Sequence, residues 1–356
     1  MPAFAEFLLV AAALYLWEST LWLPLRGVVL RHRWSGGKWK ILDPTAFFTT
    51  RELGLIPLLP LPPDAGLAPC LAPPLLVNED DEFVWPSGES FKLLTWNDLR
   101  EDTHHLIVAG RKIRISTPRC VGALRREKNR GATLEDAVRK VWRLAMSPGR
   151  AGREWRRWKL VSGPLHWSGT LLMLGFFVGL PLAYVYGGGV PTVLFAVLLW
   201  CLMARAAAHL WWLGKRVYPD ARAALRMDAL LALLVPFHAM RALEIAAVHA
   251  LGTTHPVGLL LSSGDLENPW LGRFVRGVLH PREGEGGVSS ALRPFLVRAL
   301  SGSGKKLEDF DFEPDHSDDA QAASYCPRCH GLYLTQVASC PDCKGLGLRT
   351  FATSGD

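Results

Sequence analysis

Apolar residues in this chain gather in a few long runs. Residues 7–25 (FLLVAAALYLWESTLWLPL), interrupted by Glu18, form the first. Residues 165–186 (LHWSGTLLMLGFFVGLPLAYVY) and 190–213 (VPTVLFAVLLWCLMARAAAHLWWL) form the second and third. About 20 apolar residues cross the hydrocarbon layer of a bilayer, so each run predicts a spanning helix. A helix buried in a soluble core needs an apolar stripe, not apolar residues on every side. Glu6 is the only charged side chain before the first run, so the basic leader of a cleaved signal peptide is missing. A fourth stretch, 229–251, is broken by Pro236 and carries His238, Arg241, Glu244 and His249 within about 140° of a helical wheel. Ionisable groups in mid-span are costly, so this stretch predicts an interfacial or re-entrant helix pair rather than a span.

Shorter patterns lie between the runs. Residues 55–75 hold seven prolines, which exclude a helix or a central strand and predict an extended loop over the membrane face. Strand-like pieces follow at 82–85, 91–96 and 105–116. The last is a hairpin candidate with Ala109-Gly110 at its turn. Thr133 is the expected N-cap of a helix whose apolar positions are Ala137, Val138, Val141, Leu144 and Ala145, stopped by Ser147-Pro148-Gly149. The pieces at 270–279 and 291–300, with Arg273, Arg276, Arg293 and Arg298 interleaved, read as amphipathic helices at the interface. Residues 307–319 hold seven acidic side chains and read as a solvated spacer.

Charge orients the runs. Arg26, Arg31, Arg33, Lys38 and Lys40 follow the first run, and no Lys or Arg precedes it. Residues 124–159 hold 12 Lys and Arg against 4 Asp and Glu and lead into the second run. Lys215, Arg216, Arg222 and Arg226 follow the third, and the uncharged Gly187-Gly188-Gly189 separates the second from it. Basic residues stay on the cytosolic side, which gives an outside N-terminus and a cytosolic C-terminus in the cell membrane. Arg153, Arg156, Arg157 and Lys159 alternate with Trp155 and Trp158. Beside a span, that belt suits anionic lipid headgroups better than nucleic acid. Across 356 residues, 49% apolar content and a mean hydropathy of +0.13 exclude global disorder and argue against an ordinary soluble enzyme.

The domain organisation is then a transmembrane helix (1–25), a cytosolic Pro-rich and β-rich module (26–123) and a basic helical juxtamembrane segment (124–164). A transmembrane hairpin (165–213), interfacial or re-entrant amphipathic helices (214–304), an acidic linker (305–323) and a metal-binding tail (324–352) follow. The expected fold is a multi-pass α-helical membrane protein with a small cytosolic β-rich module and a C-terminal zinc ribbon.

The tail carries the clearest chemistry. Cys326-Pro-Arg-Cys329 and, ten residues on, Cys340-Pro-Asp-Cys343 are paired C-x2-C knuckles. Cys326, Cys329, Cys340 and Cys343 supply four thiolates suited to tetrahedral Zn(II). Four protein ligands leave no position for water, so the zinc is structural. A glycine near each knuckle, Gly331 and Gly345, permits the turn that aims amides at sulfur. Covalent haem at Cys326-x-x-Cys329-His330 and two disulfides are alternatives. Both require an outside location, and haem leaves the second knuckle unexplained. The second knuckle, CPDCKGLG, resembles the CxxCxGxG repeat of the DnaJ-type cysteine-rich region. The first, CPRCHGLY, departs from it at Tyr333. The resemblance covers about 25 residues and implies zinc on the four cysteines. It implies no chaperone activity, because no HPD signature is present. Cys70, Cys120 and Cys201 are isolated and read as packing residues.

Two further sets are ionisable. Glu18 and Arg205 lie at matching depths, predicting a buried pair, with His209 as the alternative partner. His238, Glu244, His249 and His255 match no hydrolase, zincin or nucleotide motif, so no catalytic residue is assigned. The preferred function is an integral membrane scaffold or regulatory protein, not an enzyme, whose ribbon docks a protein partner. The rivals are a membrane-embedded metalloenzyme or hydrolase using His238, Glu244 and His249, and an accessory subunit of a membrane complex or transporter.

Overall fold

The computed structural model describes residues 5–14, 27–31, 39–42, 55–57, 75–85, 88–101, 105–114, 118–264, 266–315, 321–334, 337–343 and 345–351. Glu18, Cys70 and most of the proline-rich stretch lie outside them. The described chain is mostly helical and divides into two compact units. One comprises Met1–Pro63, Ser116–Arg125 and Arg153–Thr253, and the other Asp64–Ile115, Arg126–Gly152 and Thr254–Asp356.

Among the described residues two helices are long and apolar enough to cross a membrane, Pro148–Gly187 and Gly189–Val217. The bent pair Ala242–Leu251 and Pro256–Ser263 would be a third if counted as one broken span. Within the first run, Ala5–Leu14 forms a short apolar helix, and Phe7 meets Phe176 at 6.0 Å between ring centroids. Pro148–Gly187 begins well before the apolar run, in the basic segment, so juxtamembrane belt and apolar stretch are one helix. Trp158 of that belt is buried. Pro164 stands inside the helix and removes one amide from its ladder. That amide would have bonded Leu160 O, and the next carbonyl along, Val161 O, has a side-chain partner: His209 Nε2 lies 2.8 Å from it. Neighbouring side chains commonly satisfy backbone groups around a proline in apolar helices. Among the described residues His209 therefore bonds a carbonyl, while Glu18 of the predicted Glu18–Arg205 pair lies outside them. Three short strands, Gly27–Arg31, Trp39–Leu42 and Leu55–Pro57, form an antiparallel sheet with Gly27–Arg31 central.

The second unit begins with two antiparallel sheets. Leu76–Val77, Phe83–Val84 and Ser90–Phe91 make the first, and Leu99–Glu101, His105–Val108 and Arg111–Arg114 the second. The predicted hairpin is present. Ala109 and Gly110 both take positive φ, 48° and 82°, as a two-residue turn between right-twisted strands requires. The strand expected over 91–96 stops at Phe91. Thr95 instead caps a short 3-10 turn, Trp96–Asp98, reciprocally with Asp98. Thr133 caps Leu134–Ala145, its hydroxyl accepting from Asp136 N at 3.1 Å. Leu144, expected inside, is exposed, and Trp142 takes its place in the core. Trp142 donates from Nε1 to Leu75 O at 2.5 Å and stacks on Phe295. Gly258 lies so close to this helix's end that a Cβ would come 3.0 Å from Ala145 O.

The helices Pro269–Leu279 and Gly286–Ser301 differ from expectation. Their apolar residues Leu271, Val275, Val278, Val288, Leu292, Leu296 and Leu300 are buried in the second unit's own core, and Arg276 is buried with them. Protein, not a membrane interface, covers those faces. The start of the acidic linker is likewise packed. Glu308–Phe310 forms a 3-10 turn with Leu307 and Phe310 buried, because two apolar side chains among the acids find cover.

Candidate metal centre

The ribbon is built from very short strands. Ser324–Tyr325 lies between Leu332–Tyr333 and Arg349–Thr350, and Ser339–Cys340 pairs with Leu346–Gly347. So small a sheet buries little, and its interior is the four sulfurs with Tyr333, Leu346 and Leu348 against them. The knuckle turns close through His330 N to Cys326 O at 2.9 Å and Gly345 N to Cys340 O at 3.2 Å. Gly345 has φ +89°, as a left-handed turn position favours. In the first knuckle the positive φ, 61°, belongs to His330 and not to Gly331. Gly331 serves through its amide, which donates to Cys329 Sγ at 3.4 Å.

The sulfurs of Cys326, Cys329, Cys340 and Cys343 all lie within 4.8 Å of one another, and Cys329 and Cys340 are 3.7 Å apart. Tetrahedral zinc with bonds of about 2.3 Å separates its sulfurs by about 3.8 Å, so the set fits a metal ion such as zinc. Hydrogen bonding from the Cys329 thiol and nearby amides outweighs burial and brings Cys326 down to about 5. Cys329, which holds that shared proton, is pushed upward. A bound cation replaces such protons. Tyr333 Oη, 3.0 Å from Cys340 Sγ, adds a donor from the residue that breaks the glycine repeat. All four cysteines are free rather than disulfide-bonded. Among the described residues no other His, Cys, Asp or Glu set gathers its ligand atoms so closely.

The ribbon is tied to the helices of its own unit. Arg328, between the first two cysteines, donates to Glu285 Oε2 at 2.5 Å, and Arg276 Nε donates to Arg328 O at 2.9 Å. Asp311 Oδ1 holds both His280 Nε2, at 2.9 Å, and Arg349 Nη1, at 3.0 Å. Phe312 meets His330 edge-on at 5.0 Å. Four thiolates around a divalent ion retain negative charge, which the neighbouring guanidinium of Arg276 offsets.

A second cluster gathers in the first unit. His249 Nε2 lies 2.9 Å from Asp228 Oδ2, and His238 Nε2 lies 3.5 Å from Asp228 Oδ1. His238, Arg241, Glu244 and His249 are all buried. Asp228 was missed in sequence, although an acid inside the run RMDALLALL was a signal. His255 belongs to the other unit. Its Nδ1 accepts from Val257 N at 3.2 Å, capping Pro256–Ser263, and its ring lies 5.8 Å from Trp142. Of the isolated cysteines, Cys120 is buried with Sγ 3.0 Å from Gly252 O, whereas Cys201 is exposed.

No protein-family model matches the chain, and neither a curated protein nor a solved structure matches it.

Proposed function

We propose that the protein is an integral membrane scaffold or regulatory protein whose cytosolic zinc ribbon docks a protein partner. The observation that carries the reading is the coexistence in one chain of two bilayer-length apolar helices and a four-cysteine metal-binding cluster. Exposed Trp167, Leu174, Tyr186, Val193, Leu198 and Trp200 on the long helices support lipid contact, since a water-soluble helix would bury them. The Lys and Arg distribution supports a multi-pass topology in the cell membrane, with the N-terminus outside and the ribbon inside. Four thiolate ligands suit a structural Zn(II), and a reducing cytosol suits free thiols.

Purification from native membranes with metal analysis tests this. The expected result is membrane retention, about one zinc per chain, and a copurifying partner lost on Cys326→Ser. An impermeant thiol reagent that modified the tail in intact cells would overturn the topology.

The Asp228–His249 hydrogen bond favours a second reading, a membrane-embedded enzyme, because a carboxylate-oriented imidazole is a common acid–base unit. Alanine substitution of His238, Glu244 and His249 that removed an activity without unfolding the chain would favour it. A third reading, an accessory subunit, predicts copurification with a larger membrane complex.

A further inference from the structure

The helix Arg222–Leu234 has its apolar residues on the outside as well as the inside. Leu225, Asp228, Ala229 and Ala232 face inward and are buried. On another face, Met227, Leu230 and Leu234 are 58%, 51% and 75% exposed. Their spacing of three and four residues makes one stripe. In water such a stripe is a liability, and among the described residues it stays exposed.

The geometry says what covers it. The helix packs on Gly189–Trp212. A Cβ on Gly214 would meet Leu225 Cβ at 3.0 Å and Arg222 Cα at 3.4 Å, while Arg226 lies over the Trp211 ring at 4.8 Å. The chain therefore turns back at Tyr218–Ala221, and the helix descends beside the bilayer-length helix that precedes it. Exposed Val193, Leu194, Val197 and Trp200 lie farther along that helix, so the stripe continues an apolar surface already at hand. At the turn Lys215, Arg216 and Arg222 are exposed. Trp211 and Trp212, both part exposed, stand at the same level, as residues at a headgroup boundary do.

Thirteen residues rise about 20 Å, short of the ~30 Å hydrocarbon core, before the break at Val235-Pro236. The acid on the inner face, Asp228, is satisfied within the protein by His249 and His238. That internal pairing lets a helix with a central carboxylate enter lipid.

We propose that Arg222–Leu234 is a re-entrant helix in the cytosolic leaflet: Met227, Leu230 and Leu234 contact acyl chains, and Arg222 and Arg226, beside Trp211, bind the phosphate of an anionic phospholipid. The inference rests on the membrane reading above and adds a lipid site to it.

The test uses the full chain in nanodiscs of phosphatidylcholine and phosphatidylglycerol. A photoreactive benzoylphenylalanine is placed at Leu230, Leu234, Val193 or Leu93, one at a time, and phospholipid adducts are read by mass spectrometry. Adducts at 230, 234 and 193, with none at the solvent-exposed 93, are expected. An adduct at 193 without any at 230 or 234 would overturn the re-entrant helix and leave the membrane reading standing. No adduct even at 193 would overturn both. Arg222→Gln with Arg226→Gln should lower retained phosphatidylglycerol by up to roughly thirtyfold against wild type, and Arg222→Lys with Arg226→Lys should keep it. Unchanged retention in the glutamine variant would remove the headgroup site.

Discussion

Arg328 Nη1 donates to Glu285 Oε2 at 2.5 Å, joining a residue between two of the clustered cysteines to the residue that precedes the helix Gly286–Ser301. The ribbon is thus anchored to its unit by a side chain whose position the metal site itself dictates. Glu285→Ala leaves the partly buried guanidinium without its carboxylate, at a cost of about 1–3 kcal/mol. Hydrogen exchange across 324–350 should accelerate, while zinc content stays at the wild-type value. Unchanged exchange would show the other anchors to be sufficient.

Cys340→Ser removes one ligand of four. Metal analysis of the purified chain should fall from about one zinc to near none, and 321–351 should become sensitive to proteolysis. The reason is that metal binding supplies most of the folding free energy of so small a sheet. A chain that kept its metal and its resistance would not hold zinc through these sulfurs.

Asp228 lies between two buried imidazoles, hydrogen-bonded to His249 at 2.9 Å and 3.5 Å from His238. Asp228→Ala should cost about 2–3 kcal/mol, read as a lowered midpoint of thermal unfolding in detergent. Asp228→Asn keeps an acceptor oxygen and should cost less. Equal losses for the two variants would mean that packing, not hydrogen bonding, sets the value of this site.

The Lys140 ammonium, 2.6 Å away, and the Arg130 guanidinium, 2.7 Å away, hold the Glu127 carboxyl below its ordinary value of 4.5. A carboxyl depressed in the folded state stabilises fully above about pH 4.5, and its contribution is lost as pH falls through the lower folded value. The stability gap between wild type and Glu127→Gln should therefore be widest near neutrality and close below about pH 4.5. A gap independent of pH across that window would refute the ion pair's role.

Several elements were legible in the chain before any fold was known. The Ala109-Gly110 turn, the Thr133 cap and the paired knuckles are local: a few adjacent residues fix the backbone, and their side chains have few alternatives. Leu144 and Trp142 show the limit. Both suit a helix interior, and which one turns inward depends on Leu75 and Phe295, which are remote in sequence. The helices Pro269–Leu279 and Gly286–Ser301 carry the alternating Arg and apolar pattern of a membrane-surface helix. Only the identity of what covers them separates the two cases, and no local pattern records that.

The sequence by itself determined the apolar lengths, the distribution of basic residues and the four sulfur ligands. Length, charge and ligand type are properties of residue order, and no packing changes them. Tertiary structure alone decided that Asp228 meets His249, that Arg328 reaches Glu285, and that His330 rather than Gly331 takes the left-handed turn. Each of those depends on groups brought together by the whole chain's burial of apolar surface, an effect with no direction of its own. Sequence names the groups that can pair, and packing selects which of them do.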